Sequence, residues 1–228
     1  MSRNAQNKTV ELLRSFDSPT ISNATEAFKV RKQTDGYASS ELSCRFPDLP
    51  PMVGYAVTCI ADTTSPEPAG PNRLADLFDA VAGAPKPVVV VMQHQGPDRL
   101  RSCFAGDMVC TSLHKLGVVG LVTDGGVRDI RGIRQRAPGF QVFAGGLVVS
   151  HGLPVYLEIN VPVNVCGLAI RPGDLLHGDE SGLVSIPLEI VESLPEQARW
   201  VQDKEGEFID FLNSSSISLD DLKYRITH

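Results

Sequence analysis

The chain has 228 residues, 42% hydrophobic and 6% aromatic, with 27 acidic against 21 basic side chains and a formal net charge of −6. This composition excludes a disordered or collagen-like chain, and the length suffices for one domain with an appendage, or two small ones, without disulfides or a structural metal. The negative balance and the lack of a long Lys/Arg run argue against a duplex nucleic-acid binder, which needs a basic footprint to neutralise phosphates.

The five cysteines, Cys44, Cys59, Cys103, Cys110 and Cys166, form no CxxC and no Cys/His pair at zinc spacing. An odd, scattered set fits reduced thiols used as small core hydrophobes, which points to a cytoplasmic protein. The opening MSRNAQNKTVELL has no apolar stretch followed by a small-residue cleavage site, in keeping with that location. Ala137 to Leu157 runs 21 residues without a formal charge. Its prolines and glycines (Pro138, Gly139, Gly145, Gly146, Gly152, Pro154) divide it into short strands and turns, so no membrane span is expected.

In chain order, Val10 to Val30 reads as two short helices, ELLRSF and TISNATEAF, with Thr20 as an N-cap after Pro19. Residues 31–52 read as an irregular connection to a first strand around Val53 to Ile60. The expected organisation is a helical cap and connection over 1–52, a core over 53–202 and a tail over 203–228. Within the core, apolar spacing predicts a helix over Leu74 to Val81, and the run of valines ending at Met92 predicts a buried strand. Met108, Leu113 and Leu116 fit a helix from Asp107 to Leu116 closed by Gly117. VVGLVT reads as a second buried strand, followed by a glycine turn and a short basic helix ending at Pro138-Gly139. From Gln141 to Ile186 the pattern changes to many short β-segments between Gly, Pro, Asn and Asp. Residues 187–202 predict a helix with Pro187 in its first turn, and the tail is polar with SSSIS as a loop. Phe208, Phe211 and Leu212 in the tail fit packing on a neighbouring protomer or on the chain's own core.

The stretch from Gly120 to Asp129 carries the most chemistry. A buried strand delivers polar residues to its C-terminal end, where α/β sheets commonly place their sites and where glycines let backbone approach a ligand. Arg128 and Asp129 there fit a substrate-binding cation beside a metal-binding carboxylate, and equally an ordinary helix start with Asp129 as cap and Arg128 in water. Asp107, 21 positions earlier, begins a helix whose free N–H groups suit an anion, and it reads either as a general base or as a plain N-cap. Arg131 and Arg134 read as a solvated face. His94, His114, His151 and His177 lack metal spacing, and the segment His177-Gly178-Asp179-Glu180 reads as a turn. Cys103 and Cys110 have no evident base. No GxGxxG, Walker or GxSxG sequence occurs, which removes the usual signs of a nucleotide site or a serine hydrolase.

Gly106-Asp107, then Asp124-Gly125-Gly126-Val127-Arg128-Asp129, then Pro172-Gly173-Asp174, then Gly178-Asp179-Glu180-Ser181-Gly182-Leu183-Val184 stand in an order and spacing that can be compared as a set. That set resembles the family containing the class II 4-hydroxy-4-methyl-2-oxoglutarate / 4-carboxy-4-hydroxy-2-oxoadipate aldolases and the regulator of ribonuclease E activity A, over about residues 16 to 200. The resemblance implies a swivelling α/β/β sandwich that assembles as a homotrimer or homohexamer with sites at subunit interfaces. It implies Mg²⁺ or Mn²⁺ held by Asp129, acting as a Lewis acid on a small 2-oxo acid and stabilising a pyruvate enolate. Arg128 would bind substrate, Asp107 would position the water that takes the 4-hydroxyl proton, and the amides from Gly106 and Asp107 through Met108 and Val109 would grip a carboxylate. Oxaloacetate decarboxylation would follow from the same chemistry. Two positions depart from the aldolase pattern: Gly132 replaces an acidic residue, and Gln93-His94-Gln95-Gly96 replaces a more acidic or glycine-rich loop. The alternative is a non-catalytic, protein-binding regulator on the same fold. A methyltransferase reading is set aside, since no glycine-rich loop with a downstream acidic residue is present.

Overall fold

The computed structural model describes residues 3–214 and 217–227. Eleven strands and seven α-helices are assigned among them: α1 (Arg3–Leu13), α2 (Ser18–Glu26), β1 (Ser43–Cys44), β2 (Met52–Asp62), α3 (Leu74–Gly83), β3 (Val88–His94), β4 (Cys103–Ala105), α4 (Asp107–Lys115), β5 (Val118–Val127), α5 (Ile130–Arg136), β6 (Gln141–Leu147), β7 (Val155–Ile159), β8 (Val163–Val165), β9 (Leu168–Ile170), β10 (Leu175–Asp179), β11 (Gly182–Ile186), α6 (Leu194–Leu212) and α7 (Leu219–Thr227).

Nine strands form one mixed sheet with the order β1-β6-β5-β3-β2-β10-β11, to which β4 adds beside β5 and β7 beside β2. Strands β2, β3, β5 and β6 are parallel, while β1, β7, β10 and β11 are antiparallel to their neighbours. The connections through α3, α4 and α5 each return the chain to an adjacent parallel strand, as β/α units do. Residues 37–45 then span the sheet from edge to edge. Ala38 N–H donates to Leu183 O on β11, and Arg45 N–H donates to Val142 O on β6. The result is a nearly closed mixed α/β architecture, in agreement with the expected sandwich.

The alternation of side chains along each strand sorts the core into faces. Val88, Val90 and Met92 of β3 join Leu121 and Val142 under α3, α4 and α5, meeting Leu77, Leu113 and Ile133. Val89 and Val91 point the other way, joining Met52, Val122, Phe143 and Leu176 beneath the β8–β9 hairpin with Val165 and Ile170. A third cluster seats α1, α2 and α6 on β10 and β11 through Leu13, Ile21, Leu194 and Ala198 against Leu175, Val184 and Ile186.

Several local expectations are corrected. Thr20 is not the N-cap of α2; Asp17 is, and its carboxylate accepts the Thr20 N–H at 2.7 Å because Asp17 is the extended residue just before the first turn. Asp124-Gly125-Gly126 is not a turn: β5 continues to Val127, held extended because β4 takes over pairing where β3 stops, with Gly126 N–H donating to Ser102 O at 3.0 Å. Its basic helix ends at Arg136, before Pro138. Pro187 precedes a single 3₁₀ turn, and the helix begins at Leu194 with Pro195 in its first turn. That helix continues to Leu212, and a further helix follows, so most of the described tail is helical. Phe208 and Phe211 stack within α6, and Arg225 of α7 lies 5.1 Å over the Phe211 ring. Ser215 and Ser216 of the SSSIS segment lie outside the described residues. His177 and Asp179 belong to β10 instead of a turn, and both are buried. Four cysteines are buried as expected, and Cys44 is half-buried. No described helix is long and apolar enough to cross a membrane.

His177 and Asp179 fasten the N-terminal helices to the sheet. The Leu13 carbonyl can only accept, so His177 Nε2 carries the proton given to it at 3.2 Å, and Nδ1 accepts from Ser18 Oγ at 2.9 Å. Asp179 accepts the Ser18 N–H at 2.6 Å. Burial, opposed by the Leu13 carbonyl, lowers the His177 pKa and keeps the ring neutral. A histidine with a depressed folded pKa stabilises the fold above its unfolded value of about 6.5 and loses that contribution as pH falls below it. Denaturation midpoints at pH 7.5 and 5.5 should therefore drop in the wild type, and the drop should shrink in His177→Gln. Phe143 is fully buried between the sheet and the hairpin. Phe143→Ala should cost about 3–5 kcal/mol by urea denaturation, because the vacated ring volume cannot collapse inside a nearly closed sheet.

Candidate active site

The site forms where β4 and β5 end side by side. Cys103 pairs with Gly126 and Ala105 with Val127 in parallel register, and Arg128 N–H donates to Ala105 O at 3.0 Å. Each strand then turns into a helix, so Gly106-Asp107 and Arg128-Asp129 leave the sheet together despite their separation in sequence.

Gly106 is the N-cap of α4, with extended backbone, and Asp107 is the first helical residue instead of the cap. Its carboxylate stands in the positive field of the helix start. Asp129 precedes α5 in the left-handed region, at φ 57° and ψ 35°, and makes no side-chain hydrogen bond to its own helix. Asp129 thus holds the N-cap position expected of it, but its side chain takes no part in capping. A non-glycine residue held in this region stores modest strain, which Asp tolerates better than most. The turn releases the carboxylate from its helix, and its Oδ2 lies 3.3 Å from Arg128 Nε. Arg128 also donates to Val149 O at 3.5 Å. Both side chains remain substantially open, at 35% and 41% exposure. Gly106 is required by the close approach of the two loops: a Cβ there would lie 2.5 Å from Asp129 Oδ2 and 3.1 Å from Arg128 Nε.

A pocket of about 320 Å³ opens over this junction, lined by Phe104, Gly106, Asp107, Met108, Val109 and Arg128, and by Asn72, His151 and Tyr156 among others. Its size suits a small metabolite. Tyr156, buried, donates its hydroxyl to Phe104 O at 2.9 Å, which fixes the pocket floor. Cys103 also lines it, but burial pushes its thiol up, and Cys110 up to about 12, which disfavours a thiolate nucleophile.

Among the described residues no three His, Cys, Asp or Glu side chains gather as a ready metal cage. A single open carboxylate such as Asp129 fits a hard dication that keeps most of its water, as Mg²⁺ does, and does not fit zinc.

Sequence reasoning named Gly106, Asp107, Met108, Val109, Arg128 and Asp129, and all six gather at this junction. Asn72, Phe104, His151 and Tyr156 were not assigned to a site, since their proximity depends on the β2–β7 pairing and the loop before β4. Arg136 was also missed: it forms an ion pair with Asp107 Oδ2. Its signal was present in the sequence, because Arg136 is one helical turn from the unusual Gly132. Arg131 and Arg134 are both exposed as expected, and Arg134 also forms a two-point ion pair with Asp48 at 2.6 Å and lies over the Phe46 ring. His94 lies apart, where its backbone N–H donates to the Asp124 carboxylate at 2.7 Å.

The chain is similar to several known proteins. It is 36% identical over 117 residues, 51% of this chain, to an uncharacterized protein of Methanocaldococcus jannaschii. It is 33% identical over 135 residues, 58% of this chain, to a Halalkalibacterium halodurans protein provisionally named 4-hydroxy-4-methyl-2-oxoglutarate aldolase. These matches span 55% and 60% of the two relatives' lengths. In fold it is similar to Streptomyces coelicolor RraAS2, described as an unusual member of the RNase ES inhibitor RraA protein family, with a TM-score of 0.67, 21% identity, and coverage of 89% of this chain and 96% of that one. The family model described as Aldolase/RraA matches residues 18–185, which includes both halves of the strand junction and all six residues above. The protein belongs to the RraA-like Aldolase/RraA family.

Proposed function

We propose that the protein is a divalent-metal-dependent lyase acting on a small 2-oxo acid, by retro-aldol cleavage of a substrate like 4-hydroxy-4-methyl-2-oxoglutarate, by oxaloacetate decarboxylation, or by both. The observation that carries this reading is that Asp107 and Arg128 line one pocket of small-metabolite size, with Asp129 beside them on Arg128 and Gly106. The provisional aldolase name of the Halalkalibacterium halodurans relative supports it.

Asp129 would hold Mg²⁺ or Mn²⁺, with water completing the coordination. An ion bound there supplies Lewis-acid stabilisation of the negative charge that develops on a 2-oxo acid when a carbon–carbon bond beside it breaks. Arg128 binds an anionic group of the substrate and offsets that developing charge with donors its two protein contacts leave unused. The free N–H groups at the start of α4, from Asp107, Met108 and Val109, grip a carboxylate, and Gly106 keeps the approach open. Asp107 orients the water that accepts the 4-hydroxyl proton. In the retro-aldol direction the hydroxyl loses its proton, the carbon–carbon bond breaks, and the electron pair stays with the pyruvate half until a proton joins its methyl carbon. In decarboxylation the bond breaks with loss of CO₂, and no hydroxyl proton has to be removed.

The same reading makes the protein a homo-oligomer, a trimer or hexamer. Met108 at the pocket and Leu147 and Val149 in the hollow beside it are exposed apolar side chains of the kind a second copy covers. Light scattering should report three or six copies, and a monomer would count against this assembly.

Pyruvate release should be measured with 4-hydroxy-4-methyl-2-oxoglutarate and with oxaloacetate separately, with Mg²⁺ and with excess chelator, above the rate without enzyme. Metal-dependent release is expected, and Asp129→Ala or Arg128→Ala should lower kcat/KM by roughly 100-fold or more. No pyruvate from either substrate would overturn the lyase reading in favour of a non-catalytic, protein-binding regulator.

A further inference from the structure

Asp107, the carboxylate assigned to the hydroxyl proton, does not pair with Arg128 of its own pocket. Its Oδ2 is taken by the Arg136 guanidinium from the last turn of α5. Asp107 is mostly enclosed, at 20% side-chain exposure, whereas Arg136 is 59% exposed. An ion pair this open contributes little to stability, so stability alone is a weak account of it.

The pair depends on Gly132. Gly132 and Arg136 are four residues apart and share one face of α5. A Cβ at position 132 would lie 2.9 Å from Asp107 Oδ2, 3.0 Å from Asp107 Cβ and 3.1 Å from Arg136 Nη1. These distances are shorter than ordinary contact, so any side chain at 132 would displace the carboxylate, the guanidinium or both. An acidic side chain there would also compete with Asp107 for Arg136.

The carboxylate borders two spaces. It lines the pocket with Arg128, and it lines a neighbouring open hollow with Thr111, Lys115 and Arg136. Arg136 binds it from the hollow side.

We infer that Arg136 is a positioning residue for Asp107, with Gly132 clearing the space for it: the guanidinium holds the carboxylate where it can orient the proton-accepting water. This rests on the lyase reading. Arg136 itself touches Asp107 and does not enter the pocket lining.

The chemistry supplies a test that a merely structural role would fail. Retro-aldol cleavage requires removal of the hydroxyl proton, and decarboxylation of oxaloacetate does not, so a residue acting through Asp107 should affect the first and spare the second. Arg136→Gln should lower kcat for 4-hydroxy-4-methyl-2-oxoglutarate by about tenfold or more, within the range removable general-base assistance covers. Its kcat for oxaloacetate should stay within about twofold. Arg136→Lys, which keeps the charge but loses the planar fork, should recover part of the cleavage rate. Gly132→Ala should lower the same activity in the same direction, and Arg136→Gln should add nothing in an Asp107→Asn background. Equal loss of both activities, or loss of neither, would overturn the positioning role while leaving the lyase reading intact. A wild type that releases pyruvate from neither substrate would overturn the lyase reading, and one that spares only the hydroxy acid would overturn its retro-aldol arm; in both cases the inference falls with it.

Discussion

The short parallel pairing between Cys103–Ala105 and the end of Val118–Val127 is the constraint on which the candidate site depends. The three residues of β4 are all buried, and they bring two strand-to-helix turns into contact. The backbone bond from Arg128 N–H to Ala105 O sets how far both turns travel before their helices begin. Everything assigned to chemistry follows from that register. A one-residue slip would turn every side chain of the short strand to its opposite face.

The pairing is possible because β3 ends early. At that point the Asp124 carboxylate accepts the His94 N–H, standing in for a ladder bond the sheet no longer provides, while burial raises its pKa against that hydrogen bond. Past this residue β5 acquires β4 as its new neighbour on the same side. Two glycines then let the loops close up. Gly106 admits the Arg128–Asp129 pair, and Gly132 admits the Arg136–Asp107 pair. The electrostatics of the junction is thus two guanidiniums and two carboxylates, each pair partly open to water, with no third acidic group gathered beside them in the described residues.

Much of this was legible beforehand. The valine run of β3 and the VVGLVT segment read as buried strands because a parallel sheet covered on both faces needs continuous apolar side chains. The helix expected over Asp107 to Leu116 runs to Lys115 with Leu116 as its cap, ahead of Gly117 at φ +81°. Less legible were features whose cause lies far away in sequence. Asp124-Gly125-Gly126 has turn composition but is held extended by β4, and tertiary pairing outweighs local preference there. His177 and Asp179 look like turn residues and are instead buried anchors, because their partners Leu13 and Ser18 come from the N-terminal helices.

By itself the sequence determined the class of fold, the succession of β/α units and the identity of the residues that gather at the junction, since those rest on hydrophobic period, glycine placement and a resemblance carried by Gly106-Asp107 and Arg128-Asp129. Only the tertiary structure decided how the charges are shared. Asp107 and Arg136 lie on different helices, and their pairing is set by the packing of α4 against α5 and by the empty space at Gly132. Likewise the Asp129 side chain is freed from capping its helix, on a left-handed backbone that no local signal required. Propensity acts over a few neighbouring residues, whereas the partner a charged side chain finds depends on which surfaces the closed sheet brings within hydrogen-bonding reach.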